Sequence, residues 1–207
     1  MQRHSTIGVF SVILEFIIVR HGETDWNLDG KKQGQTETIL NETGLKQAKD
    51  LAEKLATEKI DVIYSSDLPR ALETAKEINR FHKLKIRKTN LLREINLGDC
   101  NGLTSEEMRE NFPEWRKLKD AEPEKTPYPN GESHTDVQAR IKEFLKQITN
   151  EKHKTVLIVA HQGLNRNLIQ ILTDMTYAEQ SKMDFNHNII YRFDTKTKRL
   201  ANVKLNK

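Results

Sequence analysis

The sequence predicts one α/β domain with three layers, in which helices cover both faces of a mostly parallel central sheet. Two observations support this fold class. Six short apolar runs, several of them rich in β-branched residues, have the length and composition of buried strands. The segments between them carry apolar residues at helical spacing, and strands that alternate with helices are typical of layered α/β domains.

The strands and helices follow one another along the chain. The predicted strands occupy residues 13–19, 61–64, 85–91, 155–160, 188–193 and 199–205. Two long helices are indicated by apolar stripes, one formed by Leu45, Ala48, Leu51, Ala52 and Leu55 and the other by Val137, Ile141, Phe144, Leu145 and Ile148. Further helices are predicted over residues 67–79, 105–111 and 164–173. We expect the two long helices to pack on the sheet.

The length of the chain gives little reason to expect a second domain, because 207 residues fit one domain of ordinary size. We expect a single domain over residues 13–207, preceded by a short N-terminal extension over residues 1–12. Residues 112–132 contain four prolines and an Asn-Gly pair, which break regular structure. We therefore expect an excursion over the surface at about residues 105–132.

The charge balance argues against a nucleic-acid partner. The chain has 34 Lys and Arg against 30 Asp and Glu, for a net charge of +4. Two short basic clusters, at residues 82–88 and 196–199, alternate with apolar residues in predicted strands instead of forming one patch. The mild positive bias suits a small anionic ligand.

Cysteine usage and hydropathy predict a soluble protein of the cytoplasm. The single cysteine, Cys100, excludes an internal disulfide and fits a reducing compartment. The apolar segment over residues 7–19 is interrupted by Glu15, has no cleavage site after it and is too short to cross a bilayer. We expect no membrane partner, and the sequence leaves open whether the protein is a monomer or a homodimer.

Arginine and histidine residues follow three of the predicted strands. Arg20 and His21 follow the first strand, Arg70 lies shortly after the second, and His161 follows the fourth. The carboxyl ends of parallel strands are where open α/β sheets bind ligands. Guanidinium groups offer paired donors to phosphate oxygens, and an imidazole can act as a nucleophile or a donor. The sequence therefore predicts a site for a phosphate-like oxyanion.

Several tracts occur in a specific order along the chain. They are Arg20-His21-Gly22-Glu23-Thr24 with Asn27, Gln33-Gly34, Gly44 with Gln47-Ala48, Ser65-Ser66-Asp67-Leu68-Pro69-Arg70-Ala71 with Thr74-Ala75, and His161. Together they resemble the histidine phosphatases, also called the phosphoglycerate mutase-like superfamily. The resemblance runs from about residue 13 to the C-terminus.

The resemblance implies a role for each polar residue at the strand ends. His21 matches the histidine that the family phosphorylates, and Arg20, Arg70 and His161 match the groups around the transferring phosphoryl group. Glu94, in the tract after the third strand, matches the acid and base of the family.

Four further residues are expected to bind the substrate: Asn27, Gln33, Gly34 and Gln162. No metal and no other cofactor is implied, because the cationic side chains already supply the charge that a metal ion would bring. The remaining histidines, including His134 and His187, belong to no matched tract, and we expect them to take no part in the chemistry.

The sequence departs from the family at two places. Gln162 stands where a second glycine is common after the C-terminal histidine, and Cys100 and Asn101 replace an aromatic residue and a glutamate. Neither change removes a group with a chemical role, so we expect an altered pocket wall and not a lost activity.

Three functions remain open at this point. Hydrolysis of a small phosphorylated metabolite through a phosphohistidine is favoured, because the chain lacks the paired-arginine insert of the cofactor-dependent phosphoglycerate mutases. Mutase-type phosphoryl transfer is the alternative. A catalytically silent phosphate-binding module is a third reading, although it predicts the loss of a chemical residue, and none is lost. Arg116, Lys117 and Lys119 are candidates to contact a second anionic group, but a solvated helix face explains them as well.

Overall fold

The computed structural model describes residues 13–149 and 151–205, so the predicted N-terminal extension over residues 1–12 lies outside the described residues. The strands are β1 (Glu15–Arg20), β2 (Val62–Ser66), β3 (Ile86–Thr89), β4 (Thr155–Ala160), β5 (Ile189–Asp194) and β6 (Arg199–Lys204). They form one sheet in the order β3-β2-β4-β1-β5-β6. β3, β2, β4 and β1 pair in parallel, whereas β5 and β6 add two antiparallel pairings at one edge. The sheet is mixed, and the predicted α/β class is confirmed.

Helices occupy the connections between the strands. They are α1 (Asp25–Leu28), α2 (Glu42–Leu55), α3 (Pro69–His82), α4 (Ser105–Asn111), α5 (Pro113–Ala121), α6 (His134–Thr149), α7 (Gln162–Thr173) and α8 (Tyr177–Ser181), with 3₁₀ turns at Asn90–Leu92 and Gly98–Cys100. Within the two described ranges, none of these helices is both long and apolar enough to cross a bilayer.

The apolar side chains of the central strands face two separate cores. Phe16 and Ile18 of β1 pack in the cluster that contains the apolar stripes of α6 and α7. Ile17 and Val19, on the opposite face of the same strand, pack with residues of α2 and α3. Successive side chains of a strand point to opposite faces, so a continuous apolar run is what a strand buried on both faces requires. This explains why β1 and β4 show no alternation in the sequence.

The proline-rich stretch contains a helix that the sequence did not predict. Pro113 occupies the first turn of α5, where a backbone N–H has no partner within the helix, so its ring is tolerated there. The indole nitrogen of Trp115 donates to the Pro127 carbonyl at 2.7 Å and ties α5 to the irregular residues that follow. The expectation of irregular structure throughout residues 112–132 is therefore wrong for Pro113–Ala121.

The parallel pairing brings three chain segments to one edge of the sheet. Arg20, at the end of β1, lies opposite Ala160, at the end of β4, and Val159 lies opposite Ser65 of β2. The residues that leave these strands must consequently meet at the carboxyl edge, as open α/β sheets require of their ligand sites.

Candidate active site

Hydrogen bonds from the two backbone N–H groups that follow β1 hold His21 in place. Its backbone N–H donates to the Ala160 carbonyl at 3.0 Å, and the next N–H, that of Gly22, donates to the Thr74 hydroxyl of α3 at 3.0 Å. A Cβ on Gly22 would lie 2.3 Å from the Gly44 carbonyl oxygen at the start of α2. Only glycine allows this close approach, which holds His21 between the sheet and two helices.

Hydrogen bonds assign the protons of the His21 ring. Nδ1 lies 2.7 Å from the Gly22 carbonyl oxygen, and Nε2 lies 3.3 Å from Nε of Arg70. A carbonyl only accepts and a guanidinium only donates, so Nδ1 carries the proton and Nε2 has a free lone pair. Burial, followed by the charges of Arg70 and Arg20, holds the pKa of His21 well below its usual value. The ring is therefore neutral, with Nε2 available as a nucleophile.

Arg70 is the largest of the fully buried side chains in the described part of the chain. Beyond its bond to His21, its two terminal nitrogens donate to the carbonyls of Thr36 and Gly34, each at 2.7 Å. Burial lowers the pKa of Arg70 to about 10, so the guanidinium remains charged at neutral pH. These bonds join α3 to the loop that follows α1 and orient the guanidinium toward His21.

Two more imidazoles lie beside His21. His161 is fully buried, its ring centroid is 5.1 Å from that of His21, and neither of its nitrogens has a hydrogen-bond partner among the described residues. His187 donates from Nδ1 to the His21 carbonyl at 2.6 Å, and burial lowers its pKa to about 3. The ring centroids of His187 and His21 are 5.6 Å apart.

Arg20 completes the inner part of the site. Its Nη1 donates to the Phe185 carbonyl at 3.1 Å, which orients the guanidinium from the far side of the sheet edge. Burial lowers the pKa of Arg20 to about 10, so this group also remains charged. Two fixed cations and three neutral imidazoles thus surround one small volume, and fixed positive charge of this kind stabilises charge on a transferring phosphoryl group.

The Glu94 carboxylate bonds the N-terminus of α7. Its Oε1 accepts from the backbone N–H groups of Ile95 at 2.9 Å and Leu164 at 3.0 Å, and its Oε2 accepts from that of Gly163 at 3.0 Å. A carboxylate is stabilised at a helix N-terminus by these free N–H groups. Arg140 donates to the Glu94 carbonyl at 3.0 Å and holds the backbone of the residue. Oε2 accepts fewer of these bonds than Oε1, so it keeps a lone pair for a proton.

These residues open on one pocket of about 620 Å³. Of the nine predicted site residues, eight line it: Arg20, His21, Asn27, Gln33, Gly34, Arg70, Glu94 and Gln162. The ninth, His161, is buried next to His21. The Oδ1 atom of Asn27 accepts from the Thr24 backbone and caps α1, which leaves the amide N–H groups of Asn27 as donors. The structure thus brings all nine residues to one place.

The outer part of the pocket contains residues that sequence reasoning missed. They are Lys32, Tyr128, His134, Arg166 and Tyr177, with His187 nearer to the center. One signal was present, because Arg166 is four residues after Gln162 and therefore shares its face of α7. Lys32 and Tyr128 lie outside helices and strands, where no periodicity predicts the direction of a side chain.

The basic residues of α5 do not line the pocket. Arg116 pairs with Asp120 and Lys117 with Glu114, both on the exposed surface of the helix. Lys119 is buried, and its ammonium donates to the Thr126 carbonyl at 2.8 Å. Arg116 and Lys117 therefore form a solvated helix face, which the sequence allowed as the alternative to contact with a second anionic group.

Comparison with known proteins identifies the family of this chain. A model described as the histidine phosphatase superfamily (branch 1) matches residues 16–207. The chain belongs to this superfamily.

Individual relatives are consistent with the family assignment. The chain is 39% identical over 150 residues to phosphoserine phosphatase 1 of Hydrogenobacter thermophilus, covering 72% of this chain and 71% of that protein. It is 36% identical over 203 residues to a metal-independent phosphoserine phosphatase of Arabidopsis thaliana, covering 92% and 81%. A mycobacterial glucosyl-3-phosphoglycerate phosphatase, solved with VO3, superposes with a TM-score of 0.80 at 30% identity, covering 93% and 98%. The chain is a phosphatase of the histidine phosphatase superfamily.

Proposed function

We propose that the enzyme hydrolyses the phosphomonoester of a small metabolite, without a metal ion, through a phosphohistidine on Nε2 of His21. The observation that carries this proposal is the neutral, oriented ring of His21, whose Nε2 lone pair lies beside the buried guanidinium of Arg70. A nucleophile needs a free lone pair, and the group it attacks needs fixed positive charge around it.

In the first step, Nε2 of His21 forms a bond to phosphorus while the bond from phosphorus to the ester oxygen breaks. Arg20, Arg70 and His161 stabilise the charge on the other phosphoryl oxygens. The leaving alkoxide takes a proton from the carboxylic acid of Glu94, which binds that proton on Oε2. The products of this step are the free alcohol and the phosphohistidine.

In the second step, water attacks phosphorus as the bond from phosphorus to Nε2 breaks. The Glu94 carboxylate, now ionised, accepts the proton of the water, and inorganic phosphate leaves. The enzyme returns to its starting protonation state, so the cycle needs no cofactor. The N–H groups of Gly163 and Leu164 support the ionised form of Glu94 in this step.

One feature favours hydrolysis over the mutase reaction, and another favours a small substrate. No paired-arginine tract follows Glu94, and the pocket of about 620 Å³ has the size of a metabolite site. Relatives with the names phosphoserine phosphatase and glucosyl-3-phosphoglycerate phosphatase support a substrate of this size.

The test is release of inorganic phosphate from a panel of phosphomonoesters in the presence of a metal chelator. Three proteins are compared: the wild type, His21→Ala, and His153→Ala as a matched control, because His153 pairs with Glu151 and does not line the pocket. We expect the wild type and the control to release phosphate, and His21→Ala to lose at least about 10⁴-fold in kcat/KM. Wild-type enzyme quenched during turnover should carry phosphate that acid releases and alkali does not.

Other outcomes reject the proposal in different ways. Activity in His21→Ala would show that another group is the nucleophile. Loss of wild-type activity in the chelator would show that a metal takes part. Phosphoryl exchange between hydroxyl groups of one substrate, without release of phosphate, would favour the mutase reaction, and binding without either reaction would favour the silent module.

A further inference from the structure

A second pair of cations lines the pocket beyond the phosphoryl site. Lys32, from the loop after α1, and Arg166, from α7, both line the pocket wall, as does Lys31, which pairs with Asp29 at 3.6 Å. The pKa of His21 is lowered by burial and by the charges of Arg70, Arg20, His161 and His187. The pKa of Lys32 is lowered by burial and by the charges of Arg20 and Arg166, whereas the charge of Glu94 raises it. Lys32 is exposed and Arg166 is half-buried, whereas His21 and Arg70 are buried, so the second pair lies nearer to the solvent than the nucleophile.

Neither cation of the outer pair has a carboxylate of its own. Among the described residues, no Asp or Glu lies within ion-pair distance of Lys32 or Arg166. The oxygens of Glu94, the carboxylate that both cations sense, already accept three backbone N–H groups. Burial lowers the pKa of both cations, and the charges of Arg20 and then Arg166 lower that of Lys32 further. Lys32 is exposed and Arg166 is half-buried, so two like charges without an ion-pair partner are available to an anion that enters the pocket.

The Arg166 guanidinium is held in place although it has no counterion. Its Nη2 donates to the Met183 carbonyl at 2.7 Å, and its Nε is buried without a hydrogen-bond partner among the described residues. A fixed guanidinium loses little side-chain entropy when it binds an anion, and its paired N–H groups suit a carboxylate or a phosphate.

His134 adds a neutral donor to the same wall. Asn167 donates from Nδ2 to Nδ1 of His134 at 2.9 Å and also to the Gly163 carbonyl at 2.8 Å. An acceptor at Nδ1 means that the proton of the neutral ring is on Nε2. Burial lowers the pKa of His134 to about 4, so the ring stays neutral at the pH of an ordinary assay and acts as a donor, not as a third cation.

We propose that Lys32 and Arg166, with His134 beside them, form a second anion subsite, so that the preferred substrate carries a carboxylate or a second phosphate in addition to its phosphomonoester. This assignment rests on the proposed phosphatase function and narrows its substrate class. The alternative is that the outer pair only strengthens attraction for the phosphomonoester itself. The two possibilities differ in whether the cations distinguish between substrates that have the same phosphomonoester.

Two substrate pairs separate these possibilities. 3-Phosphoglycerate and glycerol 3-phosphate differ in a carboxylate against a hydroxymethyl group, and fructose 1,6-bisphosphate and fructose 6-phosphate differ in the second phosphate. We measure kcat/KM for each with the wild type, Lys32→Gln, Arg166→Gln and Arg109→Gln. The last variant loses one positive charge on the exposed surface of α4 and is the matched control. Melting temperatures establish that each variant is folded.

We expect the wild type to prefer the doubly anionic member of at least one pair by roughly tenfold or more, which corresponds to about 1.4 kcal/mol. Lys32→Gln and Arg166→Gln should each lower that ratio by roughly tenfold, and Arg109→Gln should keep the wild-type ratio. The pair that shows the preference identifies the second anion. Equal kcat/KM values within both pairs, or ratios that the two pocket variants leave unchanged, would overturn the subsite.

A binding experiment keeps this test independent of turnover. His21→Ala retains the outer wall but lacks the proposed nucleophile, so its affinity for each substrate can be measured by calorimetry without hydrolysis. We expect the same preference in Kd, and its loss when Lys32→Gln is added to His21→Ala. If the wild type hydrolyses no monoester and the preference in Kd persists, the phosphatase proposal fails and the subsite stands. If hydrolysis occurs without a preference, the subsite alone fails.

Discussion

The inner part of the pocket, around His21, and its outer part, around Arg166, are built from different kinds of structure. The inner groups leave the ends of β1 and β4 or belong to the first turn of α3, and backbone atoms fix most of them. The outer groups come from a loop, the excursion before α6, the first turn of α6, the exposed side of α7, and α8. The ends of packed strands hold the reacting groups in fixed positions. Residues in loops, in contrast, can be substituted without displacing those groups.

This difference predicts how substitutions divide between the two parts. A change in the inner part should lower the rate for every phosphomonoester, because all substrates share the transferring group. A change in the outer part should alter the preference among substrates, because this part contacts only the portion of the substrate beyond the phosphoryl group. The predictions below test that division, in addition to the experiments on His21 and on the outer cations.

The largest effect is expected for Arg70→Lys. A lysine keeps the positive charge but cannot bond the Gly34 and Thr36 carbonyls and Nε2 of His21 in one plane. We expect kcat/KM to fall by about 10²–10³-fold, and by the same factor for all members of a substrate panel. A loss confined to one class of substrate would place Arg70 in the selective part of the pocket.

The matched control for this change is Arg192→Lys. The Arg192 guanidinium also bonds two acceptors, the carboxylates of Glu15 and Glu58, but it lies on β5 and does not line the pocket. We expect this variant to keep wild-type kcat/KM, although its melting temperature falls. If both variants lose activity equally, the loss reflects general destabilisation and says nothing about phosphate binding.

A smaller and substrate-dependent effect is expected for Glu94→Gln. The amide cannot donate the proton that a leaving alkoxide needs, whereas p-nitrophenolate leaves without one. We expect kcat/KM to fall by about 10²-fold for alkyl phosphates and by less than about tenfold for p-nitrophenyl phosphate. The dependence of log kcat/KM on the pKa of the leaving group, measured in both proteins, should be steeper in the variant. Parallel lines would remove Glu94 from the role of the acid.

The division between the inner and the outer part of the pocket also explains which site residues the sequence predicted and which it did not. Arg20, His21 and His161 follow apolar runs of buried parallel strands, so the end of each strand fixes the position of the next residue. The motif around Arg70 starts a helix with Pro69 in its first turn, a signal that is local in sequence. The fold class and the inner site therefore follow from short-range patterns.

The outer wall depends on contacts that are distant in sequence. His134 meets Tyr177 edge to face, with ring centroids 5.1 Å apart, and its proton position depends on Asn167. Neither partner is within thirty residues of His134, so no local pattern predicts either contact. The sequence assigned no part to His134 for the same reason. Helix α5 was missed because prolines in a stretch suggest irregular structure unless the first turn of a helix can be recognised.

The smallest effect concerns stability, and it tests whether His134, in the outer wall, stays neutral in the folded protein. Burial, then the charge of Lys119, lowers the pKa of His134 from 6.5 to about 4. Between these two pH values the unfolded chain binds a proton that the folded protein does not, so stability falls as the pH falls through this range. Replacing His134 with glutamine removes the titrating group but keeps an acceptor for the amide of Asn167.

We therefore expect the free energy of unfolding to fall between pH 7 and pH 5 by about 2 kcal/mol more in the wild type than in His134→Gln. Urea denaturation at both pH values measures this difference. The buried His21, His161 and His187 add acid sensitivity to both proteins and cancel in the comparison, provided that they act independently of residue 134. Equal pH dependence in the two proteins would mean that His134 accepts a proton in the folded state. The outer wall would then gain positive charge in acid, and its preference for a doubly anionic substrate should rise below pH 6.5 instead of staying constant.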